Sequence, residues 1–264
     1  MKKYLVIGNP IEHSLSPLLH NFWIKKNDID AVYDKKKLVE KNLQDLVLKV
    51  KEKKLHGINV TVPFKKKIIP YLDKLTMQAE NTGSVNTIYL KNGEVYGHNT
   101  DIDGFELGIN KSKINLKEKK ILILGAGGVV PSIIYALNKM NVSEIIISNR
   151  TKNKAENLKT MFNNLTVIDW GELPNFDMII NATSIGLKKE DKINLDFSKI
   201  NNNKIFYDVI YNPKETDFLK IGKKLGNNTI NGKLMFIFQA LASFKIWHNF
   251  EPKIDKETIN LLDE

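Results

Sequence analysis

Apolar residues fall along this chain in short blocks whose period switches between strand-like and helix-like spacing. "KYLVIG" (3–8) is a continuous apolar run of strand length and predicts a buried strand. "SPLLHNFWIKKN" (16–27) opens with a serine and a proline in its first turn and predicts a helix. "NLQDLVLKVKEK" (42–53) has helical spacing, whereas "GINVTVP" (57–63) alternates like a strand and stops at Pro63. Residues 84–101 predict two short strands about Asn92-Gly93, the strongest hairpin dipeptide in the chain. "DIDGFELGIN" follows as a helix, and the lysine-rich polar segment 111–120 marks the approach to a second domain. Beyond it, "KILILGAGG" (120–128) reads as a strand and a glycine turn, "VPSIIYALNKM" as a helix, "EIIISNR" as a strand and "TKNKAENLKTMF" as a helix. "LTVIDW", "FDMIINATS" and "KIFYDVIY" are further strands. "LMFIFQALASFKIWHN" (234–249) is apolar on most faces, which predicts a helix buried between two elements. Strands alternating with helices along nearly the whole chain predict an α/β fold with parallel sheets.

Composition narrows the class. The 264 residues suffice for one large domain or two of ordinary size, and 42% hydrophobic with 27% charged residues is ordinary for a globular protein. There is no cysteine, which excludes disulfides, thiolate metal sites and cysteine nucleophiles; no metal is expected. The first apolar run ends at Gly8 and no run is long enough to span a bilayer, so a cytoplasmic enzyme without a membrane partner is expected. The net charge of +10 raises a nucleic-acid partner, but the lysines are scattered and mixed with acids, as in the runs at 35–37 and 65–67. They read as solvated surface, no nucleic acid is expected, and the basic field favours anionic small molecules.

Two regions carry candidate chemistry. In the second half, an apolar strand runs into Gly125-Ala126-Gly127-Gly128-Val129 and then a helix. That is the context of a dinucleotide fingerprint, in which the first glycine makes the turn and the second lets the backbone approach a pyrophosphate at a helix N-terminus. The third position of the pattern is Val130 rather than glycine or alanine, a bulk expected to push helix and strand apart slightly. The next strand ends Ser148-Asn149-Arg150-Thr151, with no acid to meet a ribose 2′-hydroxyl. Arg150 is the only arginine in the chain and stands where a 2′-phosphate would lie. Its planar fork of donors suits phosphate as a lysine's point charge does not. Asn149 and Thr151 add neutral donors and Lys154 further charge, so the expected cofactor is NADP(H); an arginine paired with a surface acid is the competing reading.

The first half holds polar residues where an inert scaffold would be bland. Ser14 and Ser16 open a helix, where hydroxyls and free backbone N–H groups can converge on a carboxylate, although a simple cap by Ser16 would look the same. Asn59 and Thr61 share one strand face, with Lys65 just beyond its end. Asn86 and Asp101 add an amide and a carboxylate. Lys65 begins a "KKK" run and could be plain surface, and Asp101 could be only a helix cap.

Taken together, "GNPIEHSLSPLLHN", "GINVTVPFK", "GSVNTI", "GHNTDIDGF", "ILILGAGG", "SNRT", "NATSIGL", "DVIYNPKET" and "NGKLMFIFQALASF" resemble the shikimate dehydrogenase family in order and spacing over essentially the whole chain. The resemblance implies two α/β domains. A discontinuous substrate domain (1–103 and 235–264) and a doubly wound, Rossmann-type NADP-binding domain (104–234) would face each other across the active-site cleft. It implies NADPH-dependent reduction of 3-dehydroshikimate to shikimate, on the path to aromatic amino acids. By the same resemblance Lys65 and Asp101 are the catalytic pair, and Ser14, Ser16, Thr61, Asn86, Tyr211 and Gln239 hold the substrate; Asn59 and Asp101 are counted with that substrate-binding set. Val209 and Gly232 then lie near the nicotinamide, with Thr183 and Met235 also on the cofactor side, in a monomer or homodimer. The resemblance gives His13 and His98 no catalytic part, and both are expected to be structural polar residues. Departures from the family pattern are Val129-Val130-Pro131 after the glycines and Lys233 in "NGKLMF". The alternatives are an NAD-linked quinate/shikimate dehydrogenase and an inactive nucleotide-binding paralogue.

Overall fold

A computed structural model of the chain describes residues 1–188 and 190–263. They divide into two compact units, Met1–Gly104 with Ile237–Glu264, and Phe105–Phe236.

The first unit is built on a mixed six-stranded sheet. Its elements are β1 (Lys2–Gly8), α1 (Ser16–Lys26), β2 (Ala31–Lys37), α2 (Leu43–Lys51), β3 (Gly57–Val60), β4 (Lys74–Leu75), α3 (Met77–Thr82), β5 (Thr87–Lys91) and β6 (Glu94–His98). α4 (Asp101–Lys111) leads out of it. The strand order is β2-β1-β3-β5-β6-β4; β2, β1 and β3 run parallel, and β5 is antiparallel both to β3 and to its hairpin partner β6. Asn92 and Gly93 both take positive φ, 52° and 79°, as the two-residue turn of that hairpin requires. Strand β3 is shorter than its pattern predicts, because Phe64 N–H folds back to the Thr61 carbonyl in a turn through Pro63. The lysines at 35–37 lie on β2, an edge strand, where exposed charge discourages pairing with another sheet. One sheet face is packed by Leu43, Val47 and Val50 of α2 against Ile7, Ile58 and Ile88. Aromatic rings pack together from α1, β1 and the long C-terminal helix: Tyr4 stacks on Trp247 at 5.0 Å, and Trp23 meets Phe244 edge-on at 5.5 Å.

The second unit holds a wholly parallel sheet. Its elements are β7 (Lys120–Leu124), α5 (Val130–Lys139), β8 (Glu144–Ser148), α6 (Lys152–Glu156), β9 (Leu165–Ile168), β10 (Met178–Asn181), β11 (Ile205–Asp208), α7 (Asp217–Lys224) and β12 (Asn228–Ile230). The order β12-β11-β10-β7-β8-β9 is that of a Rossmann sheet, with its switch point between β7 and β10. β7, β8 and β10 are apolar at every interior position because both faces are covered. Between Lys152 and Phe162 a longer helix is predicted; instead α6 tightens into a 3-10 turn at Asn157–Thr160, where asparagine and threonine are poor helix formers. α8 (Lys233–His248) begins in this unit and runs into the first, and Lys245 is its only exposed residue; the short α9 (Lys256–Asn260) follows. No helix among the described residues is long and apolar enough to cross a membrane.

Candidate active site

In the first unit the candidate residues collect at one end of β1, β3 and β5. The run Lys65-Lys66-Lys67 separates by environment. Lys66 and Lys67 are exposed, whereas the Lys65 side chain is only 12% exposed and donates to Oδ2 of Asp101, itself 9% exposed. Asp101 is the first residue of α4, and Oδ1 of Asn99 accepts its N–H at 3.0 Å. The other oxygen of the carboxylate, Oδ1, accepts from Asn86 Nδ2 at 2.9 Å. Asn86 Nδ2 also donates to Thr100 Oγ1 at 2.9 Å, and its Oδ1 accepts from Thr100 N–H at 2.8 Å. The carboxylate is thus oriented from one side and holds the ammonium on the other.

Asn59 is placed differently from the other candidates. It is 6% exposed and its amide is committed inside the protein. Oδ1 accepts from the Tyr33 hydroxyl at 2.7 Å, and Nδ2 donates to Asn86 O at 3.0 Å and Thr87 Oγ1 at 3.1 Å. It braces Asn86 and the start of β5, a role the alternation of "GINVTVP" cannot distinguish from a surface position. Thr61 is half-buried beside Gly8, where a Cβ would lie 2.6 Å from Thr61 Cγ2. At α1 the N-cap is Leu15 with no side-chain cap bond, so the Ser16 hydroxyl is not the cap; Ser14 Oγ accepts Ser16 N–H at 3.3 Å. Gln239 is half-buried on α8. His98 bonds Thr76 Oγ1 at 2.8 Å, and burial pushes its pKa down to about 4, which leaves a neutral structural imidazole. His13 lies exposed.

In the second unit the residues line the ends of the parallel strands. Gly125 follows β7 with φ +109°, and a Cβ there would lie 2.9 Å from the Ala182 carbonyl oxygen. Only glycine fits this crossing, which sits at the switch point between β7 and β10. A Cβ on Gly127 would meet nothing nearer than 3.8 Å, so its open side leaves the backbone bare for a ligand. Ala126, Gly128 and Val129 complete the turn into α5, and Val130 is 0% exposed in the core below it. Arg150 lies exposed just past β8 and makes no hydrogen bond or ion pair among the described residues, whereas nearby Lys152 pairs with Asp169 at 2.8 Å. Asn149 Nδ2 donates to the Thr151 carbonyl at 2.8 Å, and Thr151 and Lys154 are exposed beside it. A glycine turn open on the Cβ side of Gly127 and an uncommitted guanidinium fit a dinucleotide with a 2′-phosphate.

Thr183 is half-buried after β10, with Oγ1 on Asn181 Oδ1 at 2.7 Å. A Cβ on Gly232 would lie 2.1 Å from the Val209 carbonyl oxygen, so those two segments touch backbone to backbone. Tyr211 stacks on Phe236 at 4.2 Å, Met235 is buried, and Lys233 is half-buried with its N–H on Asn231 Oδ1 at 3.2 Å. Sequence reasoning missed Tyr33, Asn181, Asp208 and Thr216, which hold these candidates in place. The usable signal was a lone polar residue closing an apolar strand, as Asn181 does in "MIIN" and Asp208 in "IFYD". A separate cavity of about 380 Å³ beside α2, lined by Lys36, Lys37 and Lys49 among others, contains none of the candidates.

Residues 6–88 match the family model described as the shikimate dehydrogenase substrate binding domain, and residues 107–214 the model described as shikimate / quinate 5-dehydrogenase. The chain is 58% identical, over 99% of its length and 99% of the relative's, to shikimate dehydrogenase (NADP(+)) of Pelagibacter ubique. The crystal structure of shikimate dehydrogenase from Aquifex aeolicus matches with a TM-score of 0.91 at 38% identity, covering 100% of this chain and 96% of that one. Shikimate 5-dehydrogenase from Thermus thermophilus, solved in complex with NADP(H) and shikimate, matches with a TM-score of 0.90 at 28% identity, covering 99% and 98%. With identity of 58% sustained from end to end, this chain belongs to the shikimate dehydrogenase family.

Proposed function

We propose that this chain catalyses the reversible NADPH-dependent reduction of 3-dehydroshikimate to shikimate, in the biosynthesis of aromatic amino acids. The observation that carries it is the Lys65–Asp101 pair, enclosed to 12% and 9% exposure and oriented by Asn86. Reducing a ketone leaves an oxygen that must take up a proton. Lys65 supplies that proton as the ammonium and takes it back in the reverse direction. Asp101 holds the Lys65 ammonium in place and aimed, and Asn86 holds Asp101. The substrate is a small ring with a carboxylate and hydroxyls, so neutral side chains orient it: Ser14, Ser16, Thr61, Asn86, Tyr211 and Gln239. Asn59 serves that set from behind, through Asn86 and Thr87.

NADPH, when bound, supplies the hydride. Gly125 to Val129 would take its pyrophosphate, Asn149, Arg150, Thr151 and Lys154 its 2′-phosphate, and Thr183, Val209, Gly232 and Met235 its nicotinamide end. As such an enzyme the protein handles small molecules in the cytoplasm, as a monomer or a homodimer; a higher assembly in analytical ultracentrifugation would remove the last point. The main test is spectrophotometric. NADPH loss is followed with 3-dehydroshikimate, then NADH replaces NADPH, then quinate is offered for oxidation. Equal rates with NADH and NADPH would point to the NAD-linked quinate/shikimate alternative, and no turnover of either substrate would leave an inactive nucleotide-binding paralogue.

A further inference from the structure

The rim of the parallel sheet carries a buried carboxylate that the mechanism above does not use. Asp208 closes β11 at 0% exposure. Among the described residues no cation pairs with it; its partners are neutral donors. Asn181 Nδ2 donates to Oδ1 and to Oδ2, each at 3.1 Å, Ile210 N–H to Oδ1 at 3.0 Å and the Thr216 hydroxyl to Oδ2 at 2.6 Å.

Those donors sit on separate segments. Asn181 closes β10, next to Asp208 in register, and its own Oδ1 accepts from Thr183 N–H at 3.1 Å and Thr183 Oγ1 at 2.7 Å. Asn181 Nδ2 also reaches the Ile185 carbonyl at 3.0 Å. Thr216 is the N-cap of α7, accepting Leu219 N–H at 3.4 Å. Ile210 lies in the segment leaving β11, and its carbonyl accepts Gly232 N–H at 3.1 Å. One carboxylate therefore ties together the stretches that bear Thr183, Val209, Tyr211 and Gly232. We infer that Asp208 is a positioning residue for the nicotinamide end of the cofactor site, holding these stretches as one rigid rim. The inference rests on the NADP-dependent reading above.

The chemistry of the group supports a role beyond packing. Burial pushes the Asp208 carboxyl up to about 6, so above that pH the fold carries a buried charge without a counter-charge. Two apolar side chains would close the same strand ends without that cost. Only an ionised carboxylate accepts from all of these donors at once. An asparagine would accept through one oxygen and set its own NH2 against the Asn181 amide or the Thr216 hydroxyl. Misplacement of a positioning group is felt most where reacting atoms must align.

The test compares the whole cofactor with its adenosine half. Dissociation constants for NADP+ and for adenosine 2′,5′-bisphosphate are measured for the full-length protein and for Asp208→Asn, Thr216→Val and Thr216→Ser. We expect Asp208→Asn to weaken NADP+ about tenfold or more and to lower kcat similarly, with the half-cofactor changed by less than about twofold. Thr216→Val should move the same quantities in the same direction, and Thr216→Ser, which keeps the hydroxyl, should restore them. If Asp208→Asn does not fold, the Thr216 pair decides alone. Equal weakening of both nucleotides, no change in either, or a serine as damaging as the valine would overturn the inference. Wild-type protein that binds both nucleotides but does not turn over 3-dehydroshikimate would instead remove the proposed function and leave the binding comparison to judge Asp208.

Discussion

The two units treat charge in opposite ways. In the first, cation and carboxylate are brought together: Lys65 donates to Asp101, both nearly enclosed. In the second, the two charged groups of the candidate site are kept apart, although surface pairs such as Lys152 with Asp169 also form there. Asp208 is buried among neutral donors, and Arg150 stands exposed with no acid on it among the described residues. The difference separates three uses of a charged side chain. A paired ammonium can give up a proton and recover it beside a fixed counter-charge. An unpaired guanidinium is available to an anion from solution. An unpaired buried carboxylate organises backbone, because every donor around it must point inward. Each of these uses can be broken separately.

The largest effect is expected at the pair. Lys65→Ala should lower kcat by about 10²–10⁴-fold, the range for loss of a positioned general acid, with the substrate dissociation constant largely kept. Steady-state kinetics with a separate binding measurement checks this. A kcat near that of the wild type would mean that the enclosed ion pair is structural, like Asp208.

Next comes the exposed cation. Arg150→Ala should weaken NADPH by ~10–100-fold, as for loss of charge-assisted hydrogen bonds worth about 1.5–3 kcal/mol, and should leave NADH nearly unchanged. The ratio of KM values for the two cofactors is the readout. Equal changes would make Arg150 a surface residue after all.

These predictions start from positions that could be read in the sequence, and the reason is physical. The hairpin at Asn92-Gly93, the turn at Gly125 and the long apolar α8 each follow from a residue type with few conformational options or from a periodicity. Arg150 was legible because it was alone among lysines. The family resemblance singled out Lys65, but the composition of the run alone could not separate it from Lys66 and Lys67, since burial depends on a partner 36 residues away. Asn59 shows the same limit from the other side. A strand pattern says that a residue faces in or out, but not that its amide will be committed to Tyr33, Asn86 and Thr87. Asp208 stayed invisible because its donors come from three different segments.

The unpaired carboxylate makes a pH-dependent prediction whose sign differs from that of an ordinary salt-bridged aspartate. Its folded pKa is raised from 3.8 to about 6. Between those values the folded protein holds the proton more tightly than the unfolded chain. Its contribution to stability is therefore fully present below about pH 4 and is lost as pH rises through about 6. Asp208→Asn cannot titrate. The wild type should thus lose stability relative to this variant across the window, on the order of 2–3 kcal/mol in total, whatever the constant offset between them. Denaturant midpoints at pH 4 and pH 7 for both proteins supply the measurement. Parallel profiles would show that the four hydrogen bonds, rather than burial, set this pKa.

The smallest effect lies two residues from the largest. Lys67 bridges Glu40, but with side chains 45% and 56% exposed the ions remain hydrated. Lys67→Ala should change stability by no more than about 1 kcal/mol, less at high salt, and should leave kcat unaltered. Both lysines have a carboxylate partner, and they stand in the same run of three. If Lys67→Ala nonetheless lowered kcat, enclosure would not be what distinguishes a working ammonium from a surface one. The effect of Lys65→Ala would then have to be ascribed to the run as a whole.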